Sequence, residues 1–174
     1  TTIGPAAFHS CTSLMSVTLP STLTVVADNA FRDCFRLVEV INHSSKGISV
    51  GEEENGCVAY YALTVHKGES ELTRWEDYYF LTHKGNHYLI SYDGDKTALT
   101  LPEYYLGESY AVHNWAFAYQ KQLTELILPD TITGVGSYVF FDCTSLTRII
   151  LPSGLDSIAA YTFYGCRSLV ELTL

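Results

Sequence analysis

Positive charge is scarce in this 174-residue chain: 10 Lys and Arg stand against 19 Asp and Glu, leaving a net charge of −9. A surface so acidic repels phosphate, which argues against nucleic acid as a partner. Long apolar runs are missing too. No stretch approaches the ~20 residues of a membrane-spanning helix, and no basic-then-apolar N-terminal segment reads as a signal peptide. Charged residues make up only 17% while apolar ones reach 47%, a balance that folds rather than one that stays disordered.

Signatures of catalysis are equally absent. No G-x-S-x-G sequence marks a nucleophile elbow. Gly134-Val-Gly136-Ser137 is followed by no lysine, so it is no phosphate loop. His83 and His87 have the i, i+4 spacing of a helical metal pair, but they flank a Gly-Asn turn and no Glu or Cys completes a site. Asp93-Gly-Asp95 lacks the later glycine and closing glutamate of a calcium loop and reads as a turn. Glu52-Glu53-Glu54 reads as a solvated acidic loop. The expectation is therefore no catalytic residue, no metal and no cofactor.

What the chain does have is a repeat. Phe8 and Phe31 are 23 apart, and the same interval leads from Phe117 to Phe140 and on to Phe163. Neighbouring positions move in step: Cys11 with Cys34, Cys143 with Cys166, and Leu14 with Leu37, Leu123, Leu146 and Leu169. Pro20, Pro129 and Pro152 share a further phase, and Val112, Val135 and Ile158 another. A unit this short cannot bury its own apolar face, so successive units must stack and turn Leu, Val/Ile and Phe into continuous internal ladders. Each unit's second half alternates as a short strand that its proline ends. The stretch Ala27–Cys34 is too short for a full helix and predicts one tight helical turn.

Phe8-x-x-Cys11-x-Ser13-Leu14-x-x-Val17-x-Leu19-Pro20 resembles the BspA-like leucine-rich repeat of bacterial and some protozoan surface proteins. Phe140-Phe-Asp-Cys143-Thr-Ser-Leu146-x-x-Ile149-x-Leu151-Pro152 matches it again, and Phe163-Tyr-Gly-Cys166-Arg-Ser-Leu169 begins it once more. The resemblance implies a right-handed leucine-rich-repeat solenoid, β-rich, with short parallel strands and short helical or 3-10 turns. It also implies secretion or surface display, and adhesion in several members. Gln120 stands where the repeat has Cys and reads as drift at one buried position.

The expected organisation is a single solenoid unit over 1–174, with repeats at about 1–42 and 98–174 and an irregular Tyr-rich β-hairpin insert at about 43–97. Within the insert, Trp75–Thr82 and His87–Tyr92 read as two strands around a Lys84-Gly85-Asn86 turn. Val58–Ala62 reads as a helical turn and Thr64–His66 as extended chain. The connector from Pro102 to Phe117 is longer by four than the one from Pro20 to Phe31, and the surplus bulges within Glu103–Tyr110. Nine of the 13 tyrosines lie in segment 41–110, which reads either as a special surface or, more simply, as a stretch where tyrosine replaces leucine as core filling with hydroxyls reaching water. The repeat-phase cysteines act as small buried hydrophobes, because rungs ~4.8 Å apart hold Cβ atoms too far apart for a disulfide. The chain starts and stops without polar caps, which predicts a slice of a longer protein.

Alternation also names the residues that point away from the core. Glu125, Arg148 and Glu171 fall in one row of alternating charge, while Ile41, Ile127 and Ile150 form an apolar row. Thr18, Ile41, Thr100, Glu125, Ile127, Arg148 and Ile150 are the candidate binding residues, because repeat proteins commonly bind along the strand face. The leading expectation is a non-enzymatic, surface or secreted interaction module, adhesive toward a protein or glycan such as host extracellular matrix or another cell surface. A passive spacer within a longer surface protein is the alternative; an enzyme using the insert is the weakest of the three.

Overall fold

The structure, a computed structural model, describes residues 1–174 and divides them into two compact units, Thr1–Thr73 and Arg74–Leu174. Each is a leucine-rich-repeat β-solenoid.

In the first unit β1 (Thr2–Ile3) pairs in parallel with β3 (Val25–Val26), and β2 (Ser16–Leu19) with β4 (Glu39–Asn42). β4 pairs in turn with β5 (Thr64–His66). Both registers set like positions of successive repeats side by side, Ile3 with Val26 and Val17 with Val40, so the sequence period is one turn of the coil. The core holds Leu19, Leu23, Phe31, Leu37 and Val40, and Phe31 stacks on Phe8 with ring centroids 4.9 Å apart. β6 (Leu72–Trp75) carries the chain from one unit into the other.

The second unit opens with an antiparallel hairpin, β7 (Tyr78–His83) and β8 (Asn86–Tyr92). The strand expected over 75–82 is broken: a turn at Glu76, with φ of 54°, separates Trp75 from Tyr78. β9 (Ala98–Thr100), β10 (Tyr110–Val112), β11 (Glu125–Ile127), β12 (Gly134–Val135), β13 (Arg148–Ile150) and β14 (Glu171–Thr173) follow. They form two parallel ladders, β8-β10-β12 and β9-β11-β13-β14. Leu89, Val112 and Val135 lie in register, so the hairpin's second strand already keeps the phase of the repeat. The Phe ladder continues upward into it, since Tyr92 stacks on Phe117 at 5.7 Å, below Phe140 and Phe163.

The corners between strands are not helical turns. Ala27–Ala30 and Phe31–Cys34 are consecutive tight turns, closed by bonds from Ala30 N–H to Ala27 O and from Cys34 N–H to Phe31 O, each 3.2 Å. Their third residues, Asn29 and Asp33, have φ of 56° and 60°, the mark of a type II turn. The pattern recurs at Trp115, Tyr138 and Tyr161, and at Tyr119, Asp142 and Gly165. A helix would spend its N–H groups internally. Here they reach the next turn of the coil, as Phe8 N–H does to Ala30 O at 2.7 Å and Phe117 N–H to Val139 O at 3.0 Å. A left-handed turn, with φ of 51°, 65° and 64°, occurs at Asn55–Cys57, just before the stretch expected to be helical.

Of the repeat-phase cysteines Cys34 and Cys143 are buried and Cys166 half-buried, while Cys11, expected to be buried too, is exposed; the first three make a ladder of their own. Cys34, Cys143 and Cys166 each donate S–H to the carbonyl of Phe8, Phe117 and Phe140 on the preceding turn, at 3.0 Å in every case. None of the cysteines is in a disulfide, and burial pushes Cys34 and Cys166 up to about 11. Gln120 is not drift. Its Nε2 donates to Tyr92 O at 2.8 Å, serving the same carbonyl that a cysteine serves elsewhere.

Candidate functional site

The leucine strands give each unit an outer face, and the two faces differ. In the first unit the outward rows are Ser16–Glu39–Thr64 and Thr18–Ile41–His66. Thr18 is exposed, whereas Ser70 and Glu71 fold back over Glu39. Glu39 is 0% exposed and its carboxylate accepts from Ser16 Oγ (2.6 Å), Ser70 Oγ (2.7 Å) and Glu71 N–H (2.6 Å), with His66 Nε2 at 3.2 Å. Burial by itself would raise the pKa of Glu39; the Ser16 and Ser70 hydroxyls, the Glu71 amide and His66 outweigh it, so the carboxyl lies below its ordinary range. Ile41, expected to face solvent, is 6% exposed and has Thr18 and His66 as neighbours rather than Ile127. The single isoleucine row is therefore a pair, Ile127 and Ile150, with Ile41 buried in another sheet.

In the second unit the face is open. Thr100, Ile127, Ile150 and Thr173 lie side by side across β9, β11, β13 and β14, with both threonines exposed and both isoleucines half-buried. Beside them run Ala98, Glu125, Arg148 and Glu171. The Arg148 guanidinium bonds to Glu125 and, through Nε, to Glu171 Oε1 at 3.1 Å. Pairs this exposed contribute little stability, but they fix the arginine and leave an ordered charged edge along the isoleucines. A shallow depression of about 240 Å³ lies over Ala98, Thr100, Glu125 and Ile127.

Nothing resembling a catalytic centre sits near this face. His83 and His87 fall on opposite strands of the β7–β8 hairpin, and His87 Nδ1 pairs with Thr82 Oγ1 at 2.8 Å. No three His, Cys, Asp or Glu side chains converge as metal ligands.

Two features escape the sequence reading. The Glu39 clasp depends on residues far along the chain, Ser70 and Glu71, with no local signal. The aromatic corners do have one: Trp115, Tyr138 and Tyr161 follow the repeat interval, as do Phe141 and Tyr164. They stack in two rows, with Trp115 to Tyr138 at 4.2 Å and Phe141 to Tyr164 at 5.2 Å. The last members of the rows, Tyr161 and Tyr164, are exposed.

Six copies of the BspA type leucine-rich repeat region match residues 1–89 and 106–174, taking in most of the segment expected as an insert. No curated protein matches the sequence. Among solved structures, the crystal structure of a leucine rich cell surface protein from Faecalibacterium prausnitzii aligns over 96% of this chain, at 18% identity and a TM-score of 0.43. The chain spans 61% of that protein's length. With repeats matched over nearly all its residues, the chain belongs to the BspA-type leucine-rich repeat family.

Proposed function

We propose that this chain is a non-enzymatic interaction module of a secreted or surface-displayed protein, adhesive toward a protein or glycan ligand such as extracellular matrix. Binding takes place on the strand face of β9, β11, β13 and β14. The observation that carries this reading is the contrast between the two faces. The first unit covers its strands with its own chain, whereas the second leaves an isoleucine pair in reach of solvent beside a fixed arginine. Half-buried isoleucine on an ordered sheet offers apolar contact at low entropic cost, and the Glu125–Arg148–Glu171 row adds register and charge selectivity.

The test is a double substitution, Ile127→Asp with Ile150→Asp, assayed against immobilised matrix proteins and glycans. Both side chains point outward, so the fold should persist by circular dichroism while binding is lost. Binding that survives the double variant removes the strand face from consideration. A wild-type chain that binds nothing on the panel favours a passive spacer instead.

A further inference from the structure

The four surplus residues between Pro102 and Phe117 form a miniature hairpin. Tyr105 and Glu108 exchange both main-chain bonds, Tyr105 N–H to Glu108 O at 2.9 Å and Glu108 N–H to Tyr105 O at 3.0 Å. Leu106 and Gly107 occupy the two central positions with φ of 53° and 82°, as a type I′ turn requires. The base is anchored: Tyr105 is buried and stacks on Phe80 at 3.9 Å, and Thr131 Oγ1 donates to Glu103 O at 2.5 Å. The tip is the opposite. Leu106 is 74% exposed, and Tyr104 beside it is exposed as well.

The fold uses the base of this hairpin, where Tyr105 belongs to the core, but not its tip. The shorter connectors from Pro20 to Phe31, Pro129 to Phe140 and Pro152 to Phe163 close the equivalent turns without it. Its tip also runs against local preference. The two central positions of a type I′ turn favour Asn-Gly, and a left-handed leucine is both strained and wasted on water. Among the chain's left-handed residues Leu106 is the one large aliphatic side chain; the others are small, polar or aromatic. Strain held at an exposed tip by a rigid base points to a use for the tip.

We propose that residues 103–108 are a docking finger for a protein partner. Leu106 and Tyr104 enter an apolar recess on that partner, while Glu103 and Glu108 at the base meet lysine or arginine side chains on its rim. Charge selects the occupant: two flanking carboxylates on a chain of net charge −9 repel anionic lipid headgroups and favour a basic rim. Beside the finger, a depression of about 290 Å³ lined by Asn86, His87, Tyr88, Glu108 and Ser109 can receive a side chain offered in return. None of these residues belongs to the open strand face, so the two surfaces act independently.

The probe is a random peptide library displayed on phage and selected against the full chain, with enriched peptides synthesised and titrated by calorimetry. Enriched peptides should combine aliphatic or aromatic residues with Lys or Arg. Leu106→Asn, which restores the preferred Asn-Gly turn, should weaken their binding at least tenfold while raising Tm by about 2–4 °C. Glu108→Lys should weaken it as well and flatten its salt dependence. The proposal is overturned if no peptide is enriched, if enriched peptides lack basic residues, or if they bind the Leu106→Asn chain as tightly as wild type. A fall in Tm on Leu106→Asn would assign the leucine a structural role, and preferential binding of the wild-type chain to phosphatidylserine vesicles would point to a membrane; either result also ends the proposal.

Discussion

His113 should make the second unit acid-labile, by an amount that follows from its surroundings. The residue follows β10, its N–H donates to Leu89 O at 2.9 Å, and its ring meets Tyr88 edge-on at 5.9 Å. Nδ1 is buried with no hydrogen-bond partner. Burial pushes the imidazole down to about 4, whereas an unfolded histidine titrates near 6.5. Between those values the unfolded chain holds the extra proton, so stability falls as pH falls. Linkage puts the loss at about 2 kcal/mol by pH 5 and about 3 kcal/mol by pH 4, relative to pH 7.5. Trp75 and Trp115 both lie in the second unit, so urea unfolding followed by tryptophan fluorescence reads it directly. His113→Leu supplies the reference, since subtracting its stability at each pH cancels every other titrating group. At pH 7.5 the variant should equal or exceed wild type, because an unsatisfied buried nitrogen is itself a cost of ~1–3 kcal/mol. Parallel wild-type and variant curves, within about 0.5 kcal/mol from pH 4 to 8, would show that the buried imidazole does not govern acid stability.

Three further outcomes follow from the interior. Glu39→Gln should destabilise the first unit by roughly 1–3 kcal/mol at neutral pH and speed tryptic cleavage after Lys67. The wild-type advantage should shrink as pH falls below the ordinary glutamate range and vanish once Glu39 is protonated in the folded state, because its pKa is lowered there. With Ellman's reagent Cys11, which is exposed, should react within the first phase, while Cys34 and Cys143 wait for unfolding; equal rates for all thiols would contradict the S–H ladder. Gln120→Ala should cost about 1–2 kcal/mol by stranding the Tyr92 carbonyl, and Gln120→Cys should recover most of that in the same urea assay.

The stacking period, the Phe and Leu ladders and the burial of Cys34 and Cys143 can be read from spacing alone, because every turn repeats the same contact and errors at one position are corrected by the next. Legibility fails where the period slips. Phe117 falls two positions late after Tyr92, and Leu126 four positions late after Leu99, so spacing alone places the return of regular phase at Ala98. Yet Leu89 keeps the full interval to Val112 and is paired with it through β8 and β10. The corners mislead because their length suits a helical turn, whereas the destination of the N–H groups, the neighbouring turn of the coil, is a tertiary fact. Ile41 lies on the side of β4 opposite Val40, as alternation says, and is nevertheless buried. Alternation separates the two sides of a strand and says nothing about what later covers either.

The S–H and amide ladder has a consequence for how such chains change length. Every link runs between like positions on adjacent turns: phenylalanine on phenylalanine, leucine on leucine, and a donor three residues after each aromatic onto the carbonyl of the aromatic one turn earlier. Removing one whole period, such as residues 124–146, rejoins partners of the same kind and shortens the coil by a turn. Removing one residue more or one fewer instead turns the strand that follows inside out against its neighbour. Gain and loss of complete periods is thus nearly neutral for the interior, while the corner side chains and the connector hairpin travel with the period that carries them. Such a protein can alter its reach and its display together, through a single recombination event, without any interior residue having to change.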